Sequence, residues 1–190
     1  MFAVSILFSL LQVPMTSPPD SLVLADFTVV QERGWFPVND GVMGGVSRST
    51  MDVSADGTGV FAGMLSLENN GGFASVRTDI RAYDLSTFSG LVLRVRGDGR
   101  RYQVRLRTGG RYRSLAYKAE FDTRADTWIT VELPFADFQP TVRGYRPRNA
   151  PPLNLSSVRE FGILLGDGRE GPFRLEVERI MAVGEPRSVR

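Results

Sequence analysis

Residues 91–107 read Leu91-Val92-Leu93-Arg94-Val95-Arg96-Gly97-Asp98-Gly99-Arg100-Arg101-Tyr102-Gln103-Val104-Arg105-Leu106-Arg107. Successive side chains of an extended chain point to opposite sides, so an apolar residue at every second position marks a strand with one buried face. Here Leu91, Leu93 and Val95 fall on one side and Arg94 and Arg96 on the other. Tyr102, Val104 and Leu106 repeat the pattern, with Arg101, Gln103, Arg105 and Arg107 facing out. A helix would need a spacing of three and four. The stretch therefore predicts two half-buried strands, with Gly97-Asp98-Gly99-Arg100 as the hairpin turn that links them.

The same period continues in both directions. Upstream, Val23, Ala25 and Phe27 alternate with Leu22, Leu24 and Asp26, and further strands are expected over 46–53, 59–68 and 73–78. Ser54-Ala55-Asp56-Gly57 separates two of these runs as a turn and Asn69-Asn70-Gly71-Gly72 the next two as a hairpin, because Asn and Gly accept positive φ. Downstream, strands are expected over 115–121 and 128–133. The Pro- and Arg-rich residues 139–154 read as a long exposed loop, and 156–160 as one helical turn. Phe161-Gly162-Ile163-Leu164-Leu165 is nearly continuous apolar sequence of the kind a central strand requires, and Phe173, Leu175 and Val177 alternate inward in the last strand. About ten short strands punctuated by Gly, Pro, Asn and Asp predict an all-β sandwich or barrel.

At 190 residues the chain is long enough for one well-buried domain, expected over 21–183, with a polar tail at 184–190. Residues 1–20 hold an apolar run at 2–13 followed by a polar linker. The run is too short to span a membrane and has the length of a signal-peptide core. Export is the preferred reading, and a start at Met15 with a cytoplasmic chain is the other. The sequence has no cysteine and no histidine, which removes disulfides, thiolate chemistry and serine-histidine-acid hydrolysis. The net charge is +2. Lys118 is the only lysine, so nearly all cationic groups are arginine, whose planar fork suits carboxylates and phosphates.

The loop Asn39-Asp40-Gly41-Val42-Met43-Gly44-Gly45-Val46-Ser47 follows Trp35 and Phe36 and is answered by Gly71-Gly72-Phe73-Ala74-Ser75-Val76-Arg77. Paired glycines beside a short acid or amide permit sharp turns and close approach, and the aromatic pair either wedges the loop onto the core or floors a cleft. Together with Phe61-Ala62-Gly63, the run from Leu93 to Arg100, Tyr117, Trp128, Pro134-Phe135, Phe138 and Gly171-Pro172-Phe173-Arg174-Leu175-Glu176-Val177, these segments resemble, in order, the complex I intermediate-associated protein family. The resemblance covers about residues 22–182. It implies a galactose-binding-domain-like β-sandwich of jelly-roll type and a non-catalytic role in assembling respiratory NADH dehydrogenase. The expected partner is thus a protein client, its candidates being NADH dehydrogenase subunits, with no cofactor and no metal. The candidate binding residues are Trp35, Asn39, Asp40, Gly44, Gly45, Ser47, Gly72, Phe73, Ser75, Arg77, Arg96, Asp98 and Arg100.

Other chemistries draw on overlapping residues. A carbohydrate-binding module would stack sugar rings on Trp35, Tyr112 or Tyr145. A glycoside hydrolase would draw its carboxylate pair from Asp40, Asp98 and Asp167, although Asp beside Gly is also ordinary turn chemistry. Asp26 and Glu176 are positional candidates for a structural calcium. The run from Arg94 to Arg113 holds eight arginines and one acid, and it is expected to be neutralised across strands by Glu120, Glu132, Glu176 and Glu178. Nucleic acid is disfavoured because Tyr102 and Tyr117 face inward and leave no stacking platform beside these arginines.

Overall fold

The computed structural model describes residues 21–27, 34–108 and 114–184. In these, twelve strands follow one another: β1 (Ser21–Asp26), β2 (Phe36–Pro37), β3 (Arg48–Val53), β4 (Gly59–Leu65), β5 (Ala74–Tyr83), β6 (Gly90–Arg96), β7 (Arg101–Thr108), β8 (Leu115–Asp122), β9 (Trp128–Pro134), β10 (Gln139–Val142), β11 (Val158–Leu165) and β12 (Gly171–Val183). One sheet has the order β3-β4-β12-β6-β9, with β1 also paired to β12, and the other β10-β8-β7-β11-β5-β2. The pairings between named strands are antiparallel. The protein is an all-β jelly-roll sandwich, as the alternation and the resemblance together predict.

The apolar faces of the two sheets meet in one core. Phe61 of β4 lies 4.9 Å from Phe173 of β12 and 6.3 Å from Tyr102 of β7, ring centre to ring centre, and Tyr102 lies 6.1 Å from Phe121 of β8. Phe61 and Tyr102 have no exposed surface, and burying a side chain of this size stabilises by about 1.5–3 kcal/mol. Strand β11 sits between β7 and β5, and Ile163, Leu164 and Leu165 are all buried, as the unbroken apolar run requires.

Both glycine links expected to be hairpins cross between sheets instead. Gly97–Arg100 carries the chain from β6 in one sheet to β7 in the other, and Ser66–Phe73 does the same from β4 to β5. The residue preferences are shared by both kinds of link, because each needs positive φ: Gly99 has φ 84°, Asn69 53°, Asn70 59° and Gly72 130°. Alternation on the flanking strands cannot tell a neighbour in the same sheet from one across the core.

Three local differences have equally plain causes. The region 139–154 begins with β10, an edge strand on β8, where Pro140 is tolerated because an edge leaves one row of N–H groups unneeded. A bulge between Val23 and Ala25 puts Leu24 and Ala25 both inside and leaves Val23 exposed, so the simple alternation fails in β1. A 3-10 turn at Leu155–Ser157 gives way to β11 at Val158, two residues before the expected helical turn ends. Residues 1–20, the tail from 185 and Tyr112 lie outside the described residues.

Candidate functional site

Asp40 opens the 3-10 turn Asp40–Met43 and its side chain is wholly buried. Its Oδ1 accepts from the Ser47 N–H at 3.0 Å, and its Oδ2 from the Ser47 hydroxyl at 2.6 Å, the Gly72 N–H at 2.7 Å and the Phe73 N–H at 3.3 Å. Burial alone would raise the carboxyl pKa, but these donors outweigh it and hold the group below the usual carboxylate range. The glycines make room for this seat. A Cβ on Gly45 would stand 2.4 Å from Asp40 Cγ, and one on Gly71 2.6 Å from Asp40 Oδ2. Gly44 ends the turn at φ 94°.

Asn39 repeats the device one residue earlier, its Oδ1 accepting from the Ser49 hydroxyl at 2.7 Å and the Ser75 N–H at 3.0 Å. The Ser75 hydroxyl donates to the Val38 carbonyl. These bonds fasten the loop after β2 to the start of β3 in one sheet and of β5 in the other. Trp35 closes the end of the core, stacked on Phe27 at 5.9 Å and edge-on to Phe161 at 6.0 Å. It acts as a wedge on the core, the first of the two readings. Nine candidate residues, Trp35, Asn39, Asp40, Gly44, Gly45, Ser47, Gly72, Phe73 and Ser75, thus gather in one latch.

Three others form a second cluster. Asp98 accepts from the Tyr102 hydroxyl at 3.0 and 3.1 Å, from the Arg174 N–H at 2.9 Å and from the Arg100 N–H at 3.1 Å. Arg100, itself buried, donates to Asp167 from Nη2 at 2.6 Å and Nε at 3.0 Å, and also to the Pro172 carbonyl at 3.2 Å. Its guanidinium and the Arg169 N–H, working against burial, hold Asp167 below its ordinary pKa. Arg96 pairs with Glu176 and lies 5.3 Å over the Trp128 ring on the outside of the first sheet. Glu176 also accepts from Arg174 Nε at 2.9 Å, so its carboxylate serves two arginines. Asp40, Asp98 and Asp167 each accept hydrogen bonds that hold loops together.

Arg77 stands apart from both clusters, on the outer face of the second sheet, and it points to a site that motif reading missed. That face carries a cavity of about 820 Å³. Val42, Met43, Gly72 and Phe73 wall one end, and Ser114 and Arg143 the other. On the floor, Arg77 is the register partner of Gly162, Gly162 of Arg105, and Arg105 of Lys118. One row across four strands thus carries three cations and a glycine. Arg77 and Arg107 share Glu160, at 3.6 and 2.7 Å, while Glu120 is taken by Lys118 at 2.7 Å. Arg105 donates to the Gln103 side-chain oxygen at 3.2 and 2.9 Å. Burial and the charges of Arg107 and Arg77 push its guanidinium pKa down to about 10.

The basic run is thereby split. Arg94 and Arg96 lie on the outside of one sheet, where Glu178 and Glu176 pair with them as expected. Arg105 and Arg107 lie on the outside of the other, where Glu120 and Glu160 leave Arg105 without a salt bridge among the described residues. The outward alternation of Gln103, Arg105 and Arg107 was the available signal. Which sheet they faced from was hidden in the Gly97–Arg100 crossing.

Residues 25–177 match the family described as complex I intermediate-associated protein 30 (CIA30). The chain belongs to that family. It is 30% identical over 157 residues to the mitochondrial complex I intermediate-associated protein 30 of Drosophila melanogaster, covering 72% of this chain and 53% of that protein. Against the mouse protein of the same name, the identity is 34% over 109 residues, covering 55% of this chain and 33% of that one. The CIA30 chain therefore spans about half or less of these curated relatives. A Schizosaccharomyces pombe protein of uncharacterized function is 29% identical over 174 residues, covering 80% and 78%.

Among solved structures, a family 11 carbohydrate-binding module from Clostridium thermocellum, in complex with a β-1,3-1,4-mixed-linked tetrasaccharide, superposes with TM-score 0.66 at 15% identity. It covers 88% of this chain and 98% of the module. An agarase gives TM-score 0.60 at 9% identity over 88% of this chain and 25% of the enzyme. At these identities the likeness is one of fold. The fly and mouse relatives are named as mitochondrial, a compartment different from both sequence-based expectations. Among the described residues no helix is long and apolar enough to cross a membrane.

Proposed function

We propose that this CIA30 domain is a non-catalytic docking module that holds a protein client of a respiratory NADH dehydrogenase during assembly, and that the client lies on the outer face of the second sheet. Family membership supports the assembly role, and the names of the relatives are those of complex I intermediate-associated proteins, not of enzymes. The observation that carries the location is the cavity of about 820 Å³, within the range of ligand-binding clefts. Its lip is apolar, with Val42 79% and Met43 54% exposed on the turn that Asp40 pins down. An exposed apolar tip held rigid by buried hydrogen bonds offers contact area at little ordering cost.

A carbohydrate would be gripped differently. Among the described residues lining the cavity, Phe73 is the single aromatic, and Tyr145, 80% exposed, lies outside it. Phe36, 41% exposed and the register partner of Arg77, adds one ring beside the cavity, and the described lining thus lacks a row of flat rings on which sugars stack.

Site-specific photocross-linking of the full chain tests the reading. A benzophenone side chain at Met43 or Lys118 is expected to capture NADH dehydrogenase subunits, and one at Thr130, on the opposite outer face, is not. Capture from Thr130 alone, or no oxidoreductase subunit from any position, overturns the docking assignment. Binding of the mixed-linked tetrasaccharide, abolished by Lys118→Gln, would favour the sugar-binding alternative in its place.

A further inference from the structure

We infer that the floor of this cavity is a carboxylate subsite, and that the client segment it receives is an extended acidic strand with apolar flanks. The inference rests on the docking reading above. The register row Arg77, Gly162, Arg105, Lys118 sets Arg105 directly opposite Lys118 and opposite a glycine that has no side chain to separate it from Arg77. Like charges placed opposite one another across antiparallel strands destabilise the sheet. Natural sequences place acids between them, and here the nearby acids reach the two ends of the row but not its middle, where Arg105 donates to Gln103 and has no ion pair among the described residues. Glu160 serves Arg77 and Arg107, and Glu120 accepts from Lys118 and, at 3.1 Å, from Gln103. An incoming carboxylate would complete the row and accept bidentately from a guanidinium.

A second, independent feature points the same way. Thr141 is only 2% exposed, lines the same cavity and carries a buried Oγ1 with no hydrogen-bond partner among the described residues. Orphaned buried hydroxyls are uncommon, and leaving one costs stability that a ligand can recover. Carboxylate and phosphate would both satisfy a guanidinium and a hydroxyl. The apolar lip of Val42 and Met43 decides for a polypeptide, since an inorganic anion has no use for it whereas leucine or valine beside the acid does.

The probe is a capped, fluorescein-labelled peptide of alternating glutamate and leucine, compared with its glutamine isostere and a phosphoserine version by fluorescence anisotropy on the full chain. The glutamate peptide is expected to bind, with affinity falling as salt rises. Arg105→Gln is expected to weaken it by about tenfold, the loss of one charge-assisted contact. Thr141→Val is expected to weaken it about threefold while leaving the protein at least as stable as before. Lys118→Gln gives the same reading if Arg105→Gln does not fold. Equal binding of the glutamine isostere, no effect of either charge variant, or binding of the phosphoserine peptide alone overturns the inference. If Arg105→Gln protein still cross-links oxidoreductase subunits through position 43 while the glutamate peptide fails to bind wild type, docking stands and the acidic subsite falls. If cross-linking and peptide binding both fail, both fall.

Discussion

Replacing Gly45 by alanine is the most direct attack on the latch. The added Cβ would stand 2.4 Å from Asp40 Cγ and 2.5 and 2.8 Å from its two oxygens, separations that real atoms do not adopt. The carboxylate must leave its seat or the loop must open. In either case the bonds from Ser47, Gly72 and Phe73 are broken or stretched. A charged group left buried without its donors costs about 3–5 kcal/mol. At about 2–4 °C per kcal/mol for a domain of this size, the melting temperature should fall by about 6–20 °C. Two neighbours separate sterics from backbone strain. Gly41→Ala meets nothing within 4 Å and has no positive φ, so it should change stability by less than about 0.5 kcal/mol. Gly44→Ala also meets open space but at φ 94°, and should cost about 1 kcal/mol. Urea unfolding of each variant, with and without Asp40→Ala, closes the cycle. Once the carboxylate is gone Gly45→Ala has nothing to displace, so the two changes should couple by about 2–4 kcal/mol. Additive costs, or a Gly45→Ala loss no larger than that of Gly41→Ala, would refute the account of the motif.

Three further outcomes follow from the same contacts. Asp40 titrates in the fold below its unfolded value of about 3.9, so the stability it confers is complete at neutral pH and is lost as pH falls through the folded pKa; Asp40→Asn should flatten the acid limb of a urea-midpoint curve below about pH 4. Asp167→Ala leaves Arg100, 5% exposed, without its carboxylate and should cost about 3 kcal/mol, whereas Asp122→Ala, whose pairing with Arg101 is exposed, should cost less than about 1 kcal/mol; thermal melts distinguish them. Thr141→Val should be neutral or stabilising by up to about 1 kcal/mol in denaturant titrations, because it removes a hydroxyl that has no partner; a clear loss would mean that Oγ1 is satisfied in solution.

How much of this was legible depended on whether the signal was local. Alternation along Leu91–Arg96 and Tyr102–Arg107 gave the buried faces correctly, down to Val95 and Val104. That the Asp40 and Gly72 segments come together was legible from their paired glycines, but that Asp40 is buried and accepts the Gly72 and Phe73 N–H groups was not. What could not be read was partnership across the sequence. The crossing at Gly97–Arg100 looks in sequence like a hairpin, because glycine supplies positive φ to both, and that single ambiguity merged two separate arginine faces into one ribbon. The register of Arg77, Gly162, Arg105 and Lys118 depends on β5, β11, β7 and β8 lying side by side, and no spacing along the chain states that order.

The family motif and the cationic floor are mechanically joined even though only one of them was visible at the outset. Gly72 and Phe73 give their N–H groups to Asp40 and also form the wall of the cavity, and Val42 and Met43 project from the turn that Asp40 begins. The carboxylate has no exposed surface of its own, yet it fixes the distance between an apolar lip and the row of guanidinium groups behind it. That separates two kinds of failure. A latch variant that keeps the fold at low temperature should lose client binding through a displaced lip, with the salt dependence of the remaining affinity unchanged. A floor variant should keep the lip in place and lose the salt dependence itself. Identical salt slopes in Gly45→Ala and Arg105→Gln proteins would mean that motif and floor do not divide the work in this way.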